Sequence, residues 1–209
     1  MSMEVLHDIS PPIDADLAVW PGDTPISQRL LMKIEDGDSV RLSTMTATVH
    51  LGSHADAPCH YARDGHGIEQ WPLSYFIGPC QVMHVDVQPG ELVGVSHLTD
   101  EIRAGRVLLA GGSYPDATHF NEDFCALDPA LVDHLHEQGV MTVGVDTPSV
   151  DPFDSKELPA HTRFYENEMA IIETLQLSGV PNGIYQLVAP PLKLVGFDAS
   201  PVRAVLCSI

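Results

Sequence analysis

The chain is short of basic residues: 10 Lys and Arg stand against 29 Asp and Glu, a formal net charge of −19 with histidine neutral. A surface of that sign repels phosphate backbones and anionic headgroups, which argues against nucleic acid and membranes as partners. Long apolar runs are missing as well. No stretch approaches the ~20 residues that a membrane-spanning helix requires, and Met1 to Asp8 lacks the charged-then-apolar layout of a secretory leader. The four cysteines, Cys59, Cys80, Cys125 and Cys207, form no CxxC pair. That removes zinc knuckles and thioredoxin-like redox sites from consideration and points to a cytoplasmic setting. Repeats and low-complexity tracts are also lacking.

What is present is one domain's worth of chain. A length of 209 residues with 44% apolar content can bury a real core, so residues 1–209 read as a single unit. Glu4–Ile9 reads as a short strand ended by Pro11 and Pro12. Asp14 to Pro25 is too rich in turn residues for regular structure. Ile26–Ile34 and Val40–Val49 read as a strand pair around Glu35-Asp36-Gly37-Asp38, the second strand running into His50. Cys80–Val87, Arg106–Ala110, Val140–Val145, Ile184–Val188 and Val202–Cys207 are further strands. Met169–Leu175 is short and apolar throughout, which leaves strand and helix both open. Two helices are expected. Ser96–Ala104 would be capped by Ser96 and stopped by Gly105. Pro129–Gln138 would be capped by Asp128, with Leu131, Val132 and Leu135 as its apolar stripe. The balance is α+β: a β-rich mixed sheet or barrel-like core with a few flanking helices.

The chemistry sits in one run, His50-Leu51-Gly52-Ser53-His54-Ala55-Asp56-Ala57-Pro58-Cys59-His60. Three imidazoles and a carboxylate occupy even positions. A helix would scatter them, whereas an extended chain turns alternate side chains to one face. A straight strand would still put His60 about 33 Å from His50. The four can meet one small centre only if the chain bends, and Gly52 and Pro58 stand where bending is cheap. The run therefore reads as a curled metal-binding segment. Imidazole plus carboxylate suits Zn(II), Mn(II) or Fe(II) rather than Ca(II) or a cluster. Isolated histidines such as His7, His84 and His134 read as surface or satisfied core residues. Cys59 falls on the face opposite His60 and reads as a small packed residue.

A second metal would need further ligands. His161 lies in what reads as a polar, proline-containing loop, where position alone describes an exposed histidine. Glu173 follows the apolar Met169-Ala170-Ile171-Ile172. A carboxylate buried there needs a cation or hydrogen bonds to offset its desolvation, and the sequence leaves ligand and structural roles both open.

The chain resembles the metal-dependent cyclase/hydrolase family, and within it the bacterial kynurenine formamidases. The shared pattern is HxGxHxDxPxH, matched by His50, Gly52, His54, Asp56, Pro58 and His60, with Ser53 where Thr or Ala is usual. Further likeness runs through Asp8–Pro11, Trp20–Pro25, Phe124–Ala126, Asp146–Pro152, Ser155-Lys156, Ala160-His161, Met169–Glu173 and Asp198–Ala204. The Trp20 and Asp146 segments favour the formamidase branch.

The resemblance implies a cyclase-like swivelling β/β/α fold and two zinc ions per subunit, with Mn(II) as an alternative. His50, His54 and Asp56 would bind the first ion, Asp56 would also reach the second, His161 would serve the second, and Glu173 would contact both. His60 would be the general acid/base and Trp20 a substrate-pocket residue, while Trp71 has no match and reads as packing. The implied reaction is hydrolysis of N-formyl-L-kynurenine to L-kynurenine and formate in tryptophan degradation, by a homodimer. Opening a cyclic amide such as isatin, or metal binding without catalysis, are the alternatives. Two metals about 3.5–4 Å apart suit the reaction, because one hydroxide and one polarised carbonyl oxygen can be held together. A histidine can carry the proton that the leaving arylamine needs.

Overall fold

The computed structural model describes residues 3–209. Val5–Asp8 (β1) is followed by an antiparallel hairpin of Ser27–Met32 (β2) and Leu42–Thr46 (β3), then by His54–Asp56 (β4). Ile77–His84 (β5), Leu92–Val93 (β6), Arg106–Ala110 (β7) and Ala126–Leu127 (β8) precede the helix Pro129–Glu137 (α1). Thr142–Val145 (β9) leads to the helix Pro159–Glu166 (α2) and then to Ala170–Glu173 (β10). Gly183–Val188 (β11), Ala199–Pro201 (β12) and Val205–Cys207 (β13) close the chain. Nine strands form one curled mixed sheet in the order β1-β13-β11-β5-β7-β9-β10-β4-β12, a half-barrel. This is the single-domain α+β fold expected from the sequence. Among the described residues no helix is long and apolar enough to cross a membrane.

The sheet is held by burial on both faces. Strands β5, β7, β9 and β10 run parallel at its centre, and parallel strands of this kind are apolar nearly throughout. Alternate side chains then feed two separate cores. Val82, Leu108 and Ile172 join Phe76, Leu187 and Leu206 on one side. Met83, Leu109, Val143 and Ile171 join Leu131, Val132 and Leu135 of α1 and Phe164 of α2 on the other. Truncating one of these leucines to alanine would cost about 2–5 kcal/mol. Helix α1 starts where the sequence says it should: Asp128 Oδ1 accepts the Ala130 N–H at 2.8 Å, and Pro129 needs no donor partner there.

Three expectations are corrected. Ser96–Ala104 is no helix; only a 3₁₀ turn, Val95–His97, forms there. Buried Gln81 of β5 takes the backbone groups a helix would use: its amide donates to the Glu101 carbonyl at 3.0 Å and accepts the Arg103 N–H at 2.8 Å. His161 is not in a loop but on α2. The residue ahead of that helix, Leu158, has φ 45° and no capping side chain. The cap comes from Asp151, whose carboxylate accepts the N–H groups of Ala160 and His161 at 2.9 and 3.0 Å. A cap supplied from so far upstream leaves no local sequence signal. Met169–Leu175 resolves as strand β10, and the strand expected to enter His50 ends at Thr46.

Candidate metal centre

The motif run bends at the two expected places. Gly52 takes φ 58°, in the left-handed region, and Pro58 opens a 3₁₀ turn that ends at His60. Between them His54–Asp56 is strand β4, which β10 and β12 flank on either side. The Gly52 turn brings His50 back, so that its Nδ1 lies 3.2 Å from Asp56 Oδ1. His54 Nε2 lies 3.5 Å from the same oxygen and 3.2 Å from Glu173 Oε2. From helix α2, His161 Nε2 comes within 3.5 Å of Asp56 Oδ2 and 3.9 Å of Glu173 Oε1. The odd positions behave differently: Leu51 is buried in the interior, and Cys59 packs beside the core with its Sγ 3.6 Å from the Phe197 carbonyl. Burial pushes the Cys59 thiol up, which disfavours a nucleophilic thiolate.

Donors therefore gather in two groups that share Asp56. His50, His54 and Asp56 form one; Asp56, His161 and Glu173 form the other, with donor atoms within 4.8 Å in each. Both oxygens of Asp56 and the Nε2 of His54 are buried without a hydrogen-bond partner. Leaving such atoms unpaired costs about 1–3 kcal/mol each, and more for a charged group. Three orphaned atoms in one cluster of imidazoles and carboxylates fit a divalent transition metal.

The electrostatics agree. Burial alone would raise the Asp56 carboxyl, but His161, His50 and His54 hold it well below the usual carboxylate range. Burial opposes charge on His50, yet Asp56, Asp198 and Glu173 outweigh it and push that imidazole up to about 9. For His161 burial is again outweighed, here by Asp151, Asp56 and Glu173, and it is pushed up to about 10. Protons and cations compete for the same inward lone pairs.

His60 is placed apart. Its ring lies 4.3 Å from that of His50, its Nδ1 is 3.7 Å from Asp198 Oδ2, and burial lowers its pKa. A neutral imidazole that lines the cavity can accept a proton. Trp20 stands in an aromatic wall, with ring centroids 5.0 Å from Phe153, 5.3 Å from Phe120 and 6.2 Å from Phe124. Trp20, Phe120, His54, His60, His161 and Glu173 all line one cavity of about 320 Å³. Trp71 packs, as expected, and its indole N–H also donates to the Asp56 carbonyl at 3.2 Å. Sequence reasoning gave no role to two residues of the site. Asp151 accepts from the His161 ring at 2.7 Å, and Asp198 accepts from the His50 ring at 3.2 Å. Both stand in segments that carry the family likeness, which was the available signal.

The cyclase family model matches residues 7–152, and the chain belongs to that family. A solved structure described as a potential metal-dependent hydrolase with cyclase activity is 28% identical, with a TM-score of 0.83 over 100% of this chain and 99% of that one. One described as a predicted metal-dependent hydrolase from Bacillus stearothermophilus is also 28% identical, with a TM-score of 0.82 over the full length of both chains. Isatin hydrolase A from Ralstonia solanacearum is 20% identical, with a TM-score of 0.81 over 99% of this chain and 92% of its own. At that identity the likeness concerns the fold.

Proposed function

We propose that this chain is a metal-dependent amidohydrolase that cleaves N-formyl-L-kynurenine to L-kynurenine and formate. The observation that carries the reading is the single cavity in which the donor cluster, His60 and the aromatic wall of Trp20 and Phe120 meet. A module that only stored a metal would close the coordination sphere with protein; here the donors open onto a space at the small end of the roughly 300–1,000 Å³ typical of ligand pockets. His50, His54 and Asp56 would hold one zinc, and Asp56, His161 and Glu173 a second. Bound there, the ions supply Lewis acidity toward the formyl oxygen and activate water at neutral pH.

The chain's own groups do the rest. His60 accepts the proton of the attacking water and returns it to the anilide nitrogen as the C–N bond breaks, since an arylamine leaves poorly as an anion. Trp20 and Phe120 offer edges and faces to the aryl ring of the substrate.

Isatin, a cyclic amide fused to an aryl ring, is the second reading, because isatin hydrolases share this fold across nearly the whole chain. Assay of the zinc-loaded protein on N-formyl-L-kynurenine beside isatin, followed by ultraviolet absorbance, tests both. Turnover of isatin alone would overturn the formamidase reading; turnover of neither would overturn the hydrolase reading.

A homodimer is part of the proposal. The β2–β3 hairpin pairs with no other strand among the described residues and exposes Leu31, Leu42 and Met45, an apolar surface that a second copy would cover. Light scattering of the purified chain measures this; a monomer at micromolar concentration would count against it.

A further inference from the structure

The inward-facing imidazoles each use their two nitrogens differently. His54 hydrogen-bonds through Nδ1 to the Gly52 carbonyl at 2.8 Å and leaves Nε2 bare. His161 bonds through Nδ1 to Asp151 Oδ2 at 2.7 Å and turns Nε2 toward Asp56 and Glu173. His50 is reversed. Its Nε2 bonds to Asp198 Oδ2 at 3.2 Å, while its Nδ1 faces Asp56 Oδ1, an oxygen with no hydrogen-bond partner.

An imidazole that gives one lone pair to a cation must carry its proton on the other nitrogen, and an ionised carboxylate can only accept. We infer that Asp198 is the positioning residue of His50: it fixes the N–H on Nε2 and so presents the Nδ1 lone pair to the cation held with His54 and Asp56. The inference rests on the metal-centre reading above. Asp198 then does for His50 what Asp151 does for His161, and the Gly52 carbonyl does it for His54. Every histidine ligand has its own outer acceptor.

The backbone supports this placement. Asp198 directly precedes β12, where Ala199 pairs with Asp56 of β4, and its carbonyl accepts the Ala57 N–H at 2.8 Å. Its carboxylate is thus delivered to the motif by the same strand pairing that holds the ligands. Oδ2 also lies 3.7 Å from His60 Nδ1, so one oxygen stands between a ligand and the proton carrier. The competing role is that of a ligand, since donor atoms of His50, His60 and Asp198 lie within 4.8 Å of one another.

The experiment titrates metal-stripped wild type, Asp198→Ala and Asp198→Asn with cobalt(II), reading the visible absorption bands and counting bound ions by elemental analysis. Wild type should bind two ions. Asp198→Ala should bind the ion of Asp56, His161 and Glu173 as before and the other roughly 10–100-fold more weakly, the usual loss when an outer partner of a metal ligand is removed. Asp198→Asn, whose amide oxygen can accept the same N–H, should recover most of that affinity. If the alanine variant does not fold, Asp198→Leu fills the space without an acceptor and should show the same loss. Unchanged affinity at both ions overturns the inference. So does a third ion in the wild type that is lost with Asp198, which would make it a ligand. A wild-type chain that takes up no cobalt overturns the metal-centre reading, and this inference with it.

Discussion

His54 and Glu173 stand opposite one another in the antiparallel β4–β10 pair, and His54 Nε2 lies 3.2 Å from Glu173 Oε2. The register of two strands, distant in sequence, thus brings together two of the five donor residues. Both side chains are buried, and that histidine nitrogen has no hydrogen bond. Slipping the register by one residue would turn each to the opposite face. The donor cluster is therefore a property of sheet pairing as much as of the motif.

Ligand and proton carrier should separate under mutation. Asp56 is shared by both donor groups, so Asp56→Asn should lose metal as the shared carboxylate becomes a neutral amide. His60→Ala should keep its metal and lose rate by roughly 10²–10⁴-fold, the range for a general acid/base. Elemental analysis beside steady-state kinetics checks both. Loss of all metal from His60→Ala would make His60 a ligand instead.

Asp151→Ala should damage fold and site together. The carboxylate caps α2 through the Ala160 and His161 N–H groups and holds the His161 ring. Losing the cap should cost about 0.5–2 kcal/mol of stability, and losing the ring's outer acceptor should weaken metal binding roughly 10–100-fold. Urea unfolding of the metal-free variant measures the first and zinc competition with a chelator the second. A stable variant with wild-type zinc affinity would contradict the assignment.

Metal-free protein should be less stable in alkali. His50 is pushed up to about 9 and His161 to about 10, from an ordinary 6.5. The folded state holds these protons more tightly than the unfolded chain does. Their stabilisation is complete below about pH 6.5 and is lost as pH rises through 9 and 10. The lowered carboxyls of Asp56, Asp151 and Asp198 act in the opposite window, stabilising above their ordinary range and losing effect only in acid. Calorimetry in the presence of chelator should show Tm falling from near neutrality to pH 10; a flat or rising Tm would refute this. Zinc held by these donors would replace the inward protons, so loading near pH 8 should release about two per chain.

Much of this was legible in the residues themselves. The even-position pattern from His50 to His60, with Gly52 and Pro58 as bends, carried the curl. Asp128, Pro129 and the Leu131, Val132 and Leu135 stripe carried helix α1. What escaped was set by distant partners. Helix α2 takes its cap from Asp151, and Ser96–Ala104 is held out of helix by a glutamine on β5. Asp198 is brought to the site by the β12–β4 pairing beside it. Interactions of that kind leave no periodicity in the sequence, because neither partner marks the other.

Substrate choice is tested at Trp20. Its ring lies among Phe120, Phe124 and Phe153 and lines the cavity that also contains His60 and the donor cluster. If the aryl ring of the substrate packs on this wall, Trp20→Ala removes an aromatic contact and buried apolar area, together about 1–3 kcal/mol. That corresponds to a rise in KM of roughly 5–150-fold, at 1.4 kcal/mol per factor of ten. The donor atoms and His60 are untouched, so kcat should change much less, and Trp20→Phe should recover part of the binding. Steady-state kinetics on N-formyl-L-kynurenine separates the two parameters. A variant that lost kcat with KM unchanged would place Trp20 in the chemical step or in the support of the metal centre, and would remove it from the substrate wall.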